Sequence, residues 1–426
     1  VAKNRASVGP KITGPSQVTV SSSQFRTARI ARLELSNFRC FRKLEISFDS
    51  ESGSSLPGDW HCLFGANGAG KTAVLQAIAL CIVGGSNVLE FGGEYLLRSI
   101  RRETDDGSEA APEAQAIVKL KPEKGASKVR GFRIIHRAGD PVESFREGDV
   151  PSPPLVLGYG ANRTVSDYFD SRHNGISQTA RRVVSLFDPL ASLAQSEVLL
   201  RQSGDLPEVS PLLEKLLEAV LPETVKVTWD AGSSALRFCM QGAGLAATEL
   251  PDGFRSSAAW MADLCAQWAV WRRSLGEPAK PDLAEIRAIV LMDEIDLHLH
   301  PSLQRTIVPS LRKALPNVQW IVTTHSPLIL GSFDRREIIA LDPAEPGGIR
   351  QLDRQILGFT ADQIYEWLMN TDPRGRSLEQ LLGRSLTPAQ ETQIAEALLT
   401  SPETNLEQAR EKLASMRASL ARLKNV

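Results

Sequence analysis

The segment Gly65-Ala66-Asn67-Gly68-Ala69-Gly70-Lys71-Thr72 has the residue types and spacing of a loop that cradles phosphate. In the pattern G-x-x-x-x-G-K-[ST] the glycines let the main chain wind closely round phosphate oxygens. Backbone N–H groups at the start of the following helix point at the anion, and the helix dipole favours negative charge there. Asn67, Gly68, Ala69 and Gly70 form the cradle, Lys71 reaches the β- and γ-phosphates, and the Thr72 hydroxyl sits on Mg²⁺. Context agrees with this reading, because Trp60 to Phe64 has the character of a strand and Ala73 to Cys81 that of a helix.

A second group lies far downstream. Ile289-Val290-Leu291-Met292 is an apolar run ending in Asp293-Glu294. Alone, such a run is more often a strand meeting a solvated turn. Paired with the loop at 65–72 it gains meaning, because an acid at that place holds Mg²⁺ directly or through water, which points to Asp293. Glu294, one residue on, stands where a base that takes a proton from water is needed. A further apolar strand ends in Thr323-Thr324-His325-Ser326-Pro327. The carboxyl ends of parallel strands are the ligand-binding edge of open α/β sheets, which puts His325 within reach of a γ-phosphate or an attacking water.

The surrounding elements must bring these groups together. Ala31, Leu33 and Leu35, then Leu44, Ile46 and Phe48, alternate with polar residues and predict two half-buried strands joined by Asn37-Phe38-Arg39-Cys40-Phe41. AQAIVKL and GFRIIHR flank PEKGASK as a hairpin between polar, Pro-rich connectors, and Leu155 to Gly160 follows as a strand. Residues 164 to 221 have interrupted helical spacing, VKVTWD and ALRFCM form a second hairpin, and 287–292, 318–322 and 337–341 have the continuous apolar character of parallel strands. The pattern is helical from about 350 onward.

Composition bounds the class. A chain of 426 residues, 42% hydrophobic and 23% charged, has room for two or three domains. A net charge of −1 provides no global basic field, so any nucleic acid would be met by local patches. Five cysteines without a CxxC pair indicate neither a disulfide framework nor a zinc site, which fits a reducing cytoplasm. With no apolar run near the ~18 residues of a membrane span and no charged-then-apolar leader, a soluble, cytoplasmic protein is expected.

These motifs, in this order, resemble the ABC-type ATPase heads of the SMC, RecF and OLD branch. NFRCF is similar to that branch's NFR-x-F element, whose arginine contacts the nucleotide, implying this role for Arg39. Asp293-Glu294 with IDLHLHP, and then TTHSP, resemble its Walker B, D-loop and switch-histidine motifs. Leu250-Pro251-Asp252-Gly253-Phe254-Arg255-Ser256 stands where the signature motif lies, which caps the ATP held by a second subunit. Pro251 replaces the serine that donates to the γ-phosphate there, leaving Gly253, Arg255 and Ser256 to make the contact. DEIDLHLHPSLQ, GYGANR and SLFDP look most like the compact ATPases of bacterial anti-phage systems of the Septu and retron-associated type.

The resemblance implies an α/β, ABC-type P-loop ATPase head with a mixed sheet, a helical insertion and a helical C-terminal region. It implies ATP and Mg²⁺ as cofactors, a homodimer with composite ATP sites, and a separate nuclease or toxin as effector, with DNA as a further partner. The boundaries read as a disordered tail over 1–27, the head over 28–163 and 245–345, an insertion over 164–244 and the C-terminal region over 346–426. A RecF-like repair ATPase, a transporter subunit and a nucleotide-gated scaffold with little turnover remain as alternatives. Arg98, Arg101 and Arg102 with Arg181 and Arg182 are candidates for phosphate contact, and His298 and His300 have metal-ligand spacing that the D-loop resemblance explains better. Leu378, Leu381 and Leu382, then the 3-4 stripe from Leu406 to Leu423, suggest a docking helix.

Overall fold

The computed structural model describes residues 27–49, 56–84, 99–100, 113–123, 126–135, 143–147, 153–161, 163, 176–188, 191, 206–221, 225–230, 235–240, 242–246, 249–250, 252–277, 282–345 and 347–369. The chain divides into two compact units, 1–360 and 361–426. Of the second, the described secondary structure is one short helix, Ala361–Trp367.

Period-2 patterning and continuous apolar runs sort the strands of the first unit into different sheets. Strands β1 (Arg29–Phe38), β2 (Phe41–Ser47), β4 (Glu113–Lys121), β5 (Lys128–Ile135) and β6 (Glu143–Glu147) form an antiparallel sheet in the order β2-β1-β4-β5-β6. Burial alternates strictly along β4, with Ala114, Ala116, Val118 and Leu120 inward. By contrast β3 (Asp59–Phe64), β11 (Ile289–Met292), β12 (Gln319–Thr323) and β13 (Ile338–Leu341) are buried at every residue, as strands covered on both faces are. With β7 (Val156–Tyr159) they pair in parallel, and β14 (Ile349–Arg350) adds an antiparallel edge, giving the order β14-β13-β3-β12-β11-β7. The α/β class and mixed sheet expected from the sequence are therefore present.

Helix α1 (Lys71–Val83) lies between the two sheets. Every residue except Thr72 is buried, the signature of a helix apolar on all faces. Its core takes in Leu33, Leu35 and Leu44 from the antiparallel sheet and Leu63, Leu291 and Ile321 from the parallel one. Where β1 shifts register between Ile30 and Arg32, the buried Gln319 amide on β12 joins the sheets. It accepts from Ile30 N at 2.8 Å and donates to Ile30 O at 3.0 Å, satisfying both main-chain groups.

The remaining elements flank this frame. Short helix α2 (Gln178–Arg181) and a 3₁₀ turn (Val184–Leu186) cover the outer edge of β7, where Gly158 N donates to Arg182 O and Ser185 Oγ donates to Gly158 O. Helix α3 (Leu206–Val220) is followed by a three-stranded sheet of β8 (Val225–Asp230), β9 (Ala235–Met240) and β10 (Ala243–Ala246). Then come α4 (Asp252–Ser274), α5 (Pro301–Ala314) and α6 (Pro327–Leu330). Three indoles tie α4 to the sheet. Trp60 stacks on Trp320 at 4.8 Å and 12°, and Trp260 meets Trp320 edge-on at 6.1 Å and 85°.

Three strands escape the sequence pattern. β6 lies in a stretch that reads as a polar connector, β10 turns the expected 225–240 hairpin into a sheet, and β14 falls where the helical pattern was expected to begin. Residues 351–360 form neither helix nor strand, with a turn at Leu357-Gly358. Leu378 to Leu423, with Arg98, Arg101 and Arg102, lie outside the described residues. Among the described residues no helix is long and apolar enough to cross a membrane.

Arg312 on α5 and Glu337 form a buried bidentate pair, 2.9 and 2.7 Å, under the face of Trp60. Removing the cation leaves a buried carboxylate without its counter-charge, so Arg312→Met should destabilise the head by about 3–5 kcal/mol. The midpoint of urea unfolding checks this.

Candidate functional site

The phosphate loop connects β3 to α1, and the strand order puts β12 between β3 and β11. The three sequence-distant groups thus meet at the carboxyl ends of adjacent parallel strands. Thr72 Oγ1 donates to Asp293 Oδ2 at 2.7 Å, and Thr323 Oγ1 donates to Asp293 Oδ1 at 2.6 Å. Both carboxylate oxygens are therefore held, one from each side.

Within the loop, Ala66, Asn67 and Gly68 are exposed, while Ala69 and Lys71 are buried. Gly70 is the N-cap of α1 at φ 90°, and no side chain caps the helix. A Cβ on Gly70 would fall 2.4 Å from the Phe41 ring and 2.5 Å from Cys40 Sγ, so the NFRCF turn packs directly on the loop and only glycine fits between them. Arg39 thereby stands beside the phosphate loop, half-buried and in the left-handed region at φ 50°. Burial pushes its guanidinium below its ordinary value.

Lys71 Nζ donates to Gly65 O at 2.9 Å and Ala66 O at 3.1 Å. Burial lowers its pKa, and the nearby Asp293 and Glu294 pull the other way. The donor set fits the groups the motifs imply. Thr72 and Asp293 present hard oxygens side by side, as Mg²⁺ requires. A Cβ on Gly68 would meet nothing within 4 Å, so the loop's outer face is open for phosphate.

Glu294 is half-buried at φ 49°, a left-handed conformation rare for a residue with a side chain. Its N–H donates to Thr323 Oγ1 at 2.7 Å. His325 is exposed just beyond β12, two residues from Thr323. The D-loop is fastened to the same strand end. Thr324 Oγ1 donates to Asp296, Ser326 Oγ donates to Gln304 Oε1 at 2.7 Å, and Gln304 Nε2 donates to Leu299 O at 3.0 Å. His300 serves as the N-cap of α5, with its ring accepting from Ser302 N.

The signature segment opens α4. Pro251 lies outside the described residues. A Cβ on Gly253 would fall 2.5 Å from His298 O, so the helix start presses on the D-loop of its own head. Arg255 is half-buried and Ser256 is buried at 7% exposure.

Several contributors were not singled out from the sequence. Thr323 is one. Another is Arg163, the last residue of GYGANR, whose guanidinium donates to Asp293 O at 2.6 Å and Glu294 O at 2.7 Å. A third group is the buried set on α4 and β7. Tyr159 OH donates to Asp263 Oδ2 at 2.9 Å, Gln267 Nε2 to Asp263 Oδ1 at 3.3 Å, and Arg182 Nε to Gln267 Oε1 at 3.2 Å. Arg182 thus turns inward, away from the phosphate contact its position suggested. An arginine at a strand end and a tyrosine in a strand carry no periodic signal, so only the fold reveals what they touch.

Two family models match the chain. One, described as "AAA domain", covers residues 32–171, and the other, described as "AAA domain, putative AbiEii toxin, Type IV TA system", covers 241–331. The first contains the phosphate loop and Arg163, the second α4, Asp293, Glu294 and His325. Both models describe AAA domains, and each matches a separate stretch of the chain. Its homologues are Septu and retron-associated proteins, as the motifs implied. The Septu protein PtuA of Bacillus mycoides (strain KBAB4) is 28% identical over 322 residues, spanning 74% of this chain and 41% of that protein. The Retron Vc95 probable ATPase of Vibrio cholerae serotype O1 biovar El Tor is 22% identical over 388 residues, 73% of each. This chain therefore spans less than half of the Bacillus protein. Among solved structures, the Smc head bound to the C-winged helix domain of ScpA aligns at TM-score 0.49 and 14% identity, over 77% of this chain and 98% of that one.

Burial raises the Asp263 carboxyl from 3.8 to about 6, against the hydrogen bonds from Tyr159 and Gln267 and the charge of Arg182. A carboxyl raised on folding stabilises the fold below its unfolded value and loses that contribution as pH climbs through its folded value. Asp263→Asn removes this titration. Its Tm should therefore gain on the wild type as pH rises from about 4 to about 7. A difference in Tm that stays constant across that window would contradict the assignment.

Proposed function

We propose that this chain is an ATPase that binds ATP with Mg²⁺ and hydrolyses it slowly. In this reading it works in the cytoplasm as a homodimer with two composite sites and controls a separate nuclease or toxin in bacterial anti-phage defence. The observation that carries the reading is the 2.7 Å contact of Thr72 with Asp293. It joins two motifs 221 residues apart into one site. Kinship with a Septu protein and a retron-associated probable ATPase supports the defence role and the separate effector. DNA is a further candidate partner.

Lys71, the loop N–H groups and Arg39 hold the phosphates, while Thr72 and Asp293 hold the metal, whose charge offsets that of the phosphates. Glu294 takes the proton of the attacking water, and His325 faces the γ-phosphate region. Gly253, Arg255 and Ser256 belong to the cap that a second head offers. Of these, Arg255 is the side chain to test, because Ser256 is buried and Gly253 packs on His298. Pro251 favours a second reading, a nucleotide-gated scaffold with little turnover, because it removes both a side-chain and a main-chain donor.

Two substitutions separate binding from chemistry. Lys71→Ala should abolish tight binding of labelled ATP while circular dichroism shows an intact fold. Glu294→Gln should keep ATP bound but hydrolyse it ~10²–10⁴-fold more slowly. Wild-type turnover by the folded Glu294→Gln protein would remove Glu294 from the role of base. No measurable turnover in the wild type would favour the scaffold.

Assembly has its own test. Mixing Lys71→Ala chains with Arg255→Glu chains should recover about one working site per mixed dimer, measured as phosphate release under conditions where the chains exchange. Gly253 is unsuitable for that experiment, since any side chain there disturbs the D-loop of its own head.

A further inference from the structure

Resting on the reading of Glu294 as the base, we propose that Arg163 is the positioning residue for that base. Its guanidinium grips the main-chain carbonyls on both sides of Glu294 and holds that residue in the conformation from which its carboxylate works. A residue with a side chain at φ 49° is strained and persists where its surroundings over-determine it. Here the peptide N–H of Asp293 donates to Tyr159 O at 2.8 Å and that of Glu294 to Thr323 Oγ1 at 2.7 Å. The two carbonyl oxygens accept from Arg163 Nη1 and Nη2 at 2.6 and 2.7 Å. Arg163 thus supplies the carbonyl half of the restraint.

The choice of partners is informative. Arg163 is only 3% exposed, and a buried guanidinium ordinarily pairs with carboxylate. Asp293, Asp296 and Glu294 are all near enough to favour its charge, yet its hydrogen bonds run to main-chain oxygens of Gly160, Asp293 and Glu294. An arginine guanidinium keeps its charge in proteins. The cation therefore fixes the backbone without occupying a carboxylate. Asp293 keeps both oxygens for Thr72 and Thr323, and among the described residues the Glu294 carboxylate accepts no hydrogen bond. A clamp of this kind sets direction while leaving the base free to take a proton.

Lysine tests the clamp, because an ammonium keeps the charge but lacks the planar fork that spans two carbonyls. In the full chain, Arg163→Lys should lower kcat by about 10²-fold, the order expected for a base misplaced by about 1 Å. The Kd for ATP should stay within about threefold, since no phosphate contact is lost. In a Glu294→Gln background the same change should have no further effect on kcat, because its action runs through Glu294. A wild-type kcat for Arg163→Lys overturns the proposal, and so does an equal loss in both backgrounds. If Arg163→Lys does not fold, Arg163→Gln is read in the same way. If neither yields a folded, ATP-binding chain, Arg163 is a determinant of the fold and the proposal falls. Failure of the underlying reading looks different: Glu294→Gln alone would then hydrolyse ATP at the wild-type rate.

Discussion

The carboxylate of Asp293, held between two threonine hydroxyls, is the contact on which the rest of the arrangement depends. One hydroxyl comes from the first turn of α1 and the other from the end of β12. That is possible only because β12 is inserted between the phosphate-loop strand and the strand carrying Asp293. One more strand inserted between them would separate the loop from the acids by a further strand spacing of ~5 Å. Topology here is a chemical constraint, and the apolar run of each strand is what enforces it.

Helix α1 shows the corresponding cost. Its N-terminus must stay open, with no capping side chain, so its stability comes from packing. Burial on every side, by an antiparallel sheet on one face and a parallel sheet on the other, supplies that packing. Gln319 adds a polar link where β1 shifts register. The loop can remain exposed and uncapped because the helix behind it is held from both sides.

Much of this was legible in the sequence. Phosphate loops and tandem acids announce themselves because their chemistry demands fixed residue types at fixed spacing, and fully apolar strands mark the parallel sheet. Arg39, Asp293, Glu294 and His325 were identified as candidates, and the strands from 59–64 and 289–341 lie where periodicity put them. What escaped has a common cause. Thr323, Arg163, Tyr159 and Asp263 act through partners far along the chain, and nothing in their own neighbourhood names those partners. β6 escaped because ESFRE at a sheet edge has neither alternation nor a long apolar run. Arg182 misled for the opposite reason, since a cation next to another cation suggests surface, while its guanidinium turns in toward Gln267.

The indole trio gives the head a property unrelated to its chemistry. Trp320 stands three residues before Thr323 on β12, and Trp260 stands on the helix that begins with the signature segment. Trp320 is stacked on Trp60 and touched edge-on by Trp260, in contact geometries that depend on angle as well as distance. A rotation of α4 against the sheet would slide one indole edge across the face of another. The ultraviolet emission of these three indoles would then follow the tilt of α4 against the sheet, an optical gauge carried by the core itself.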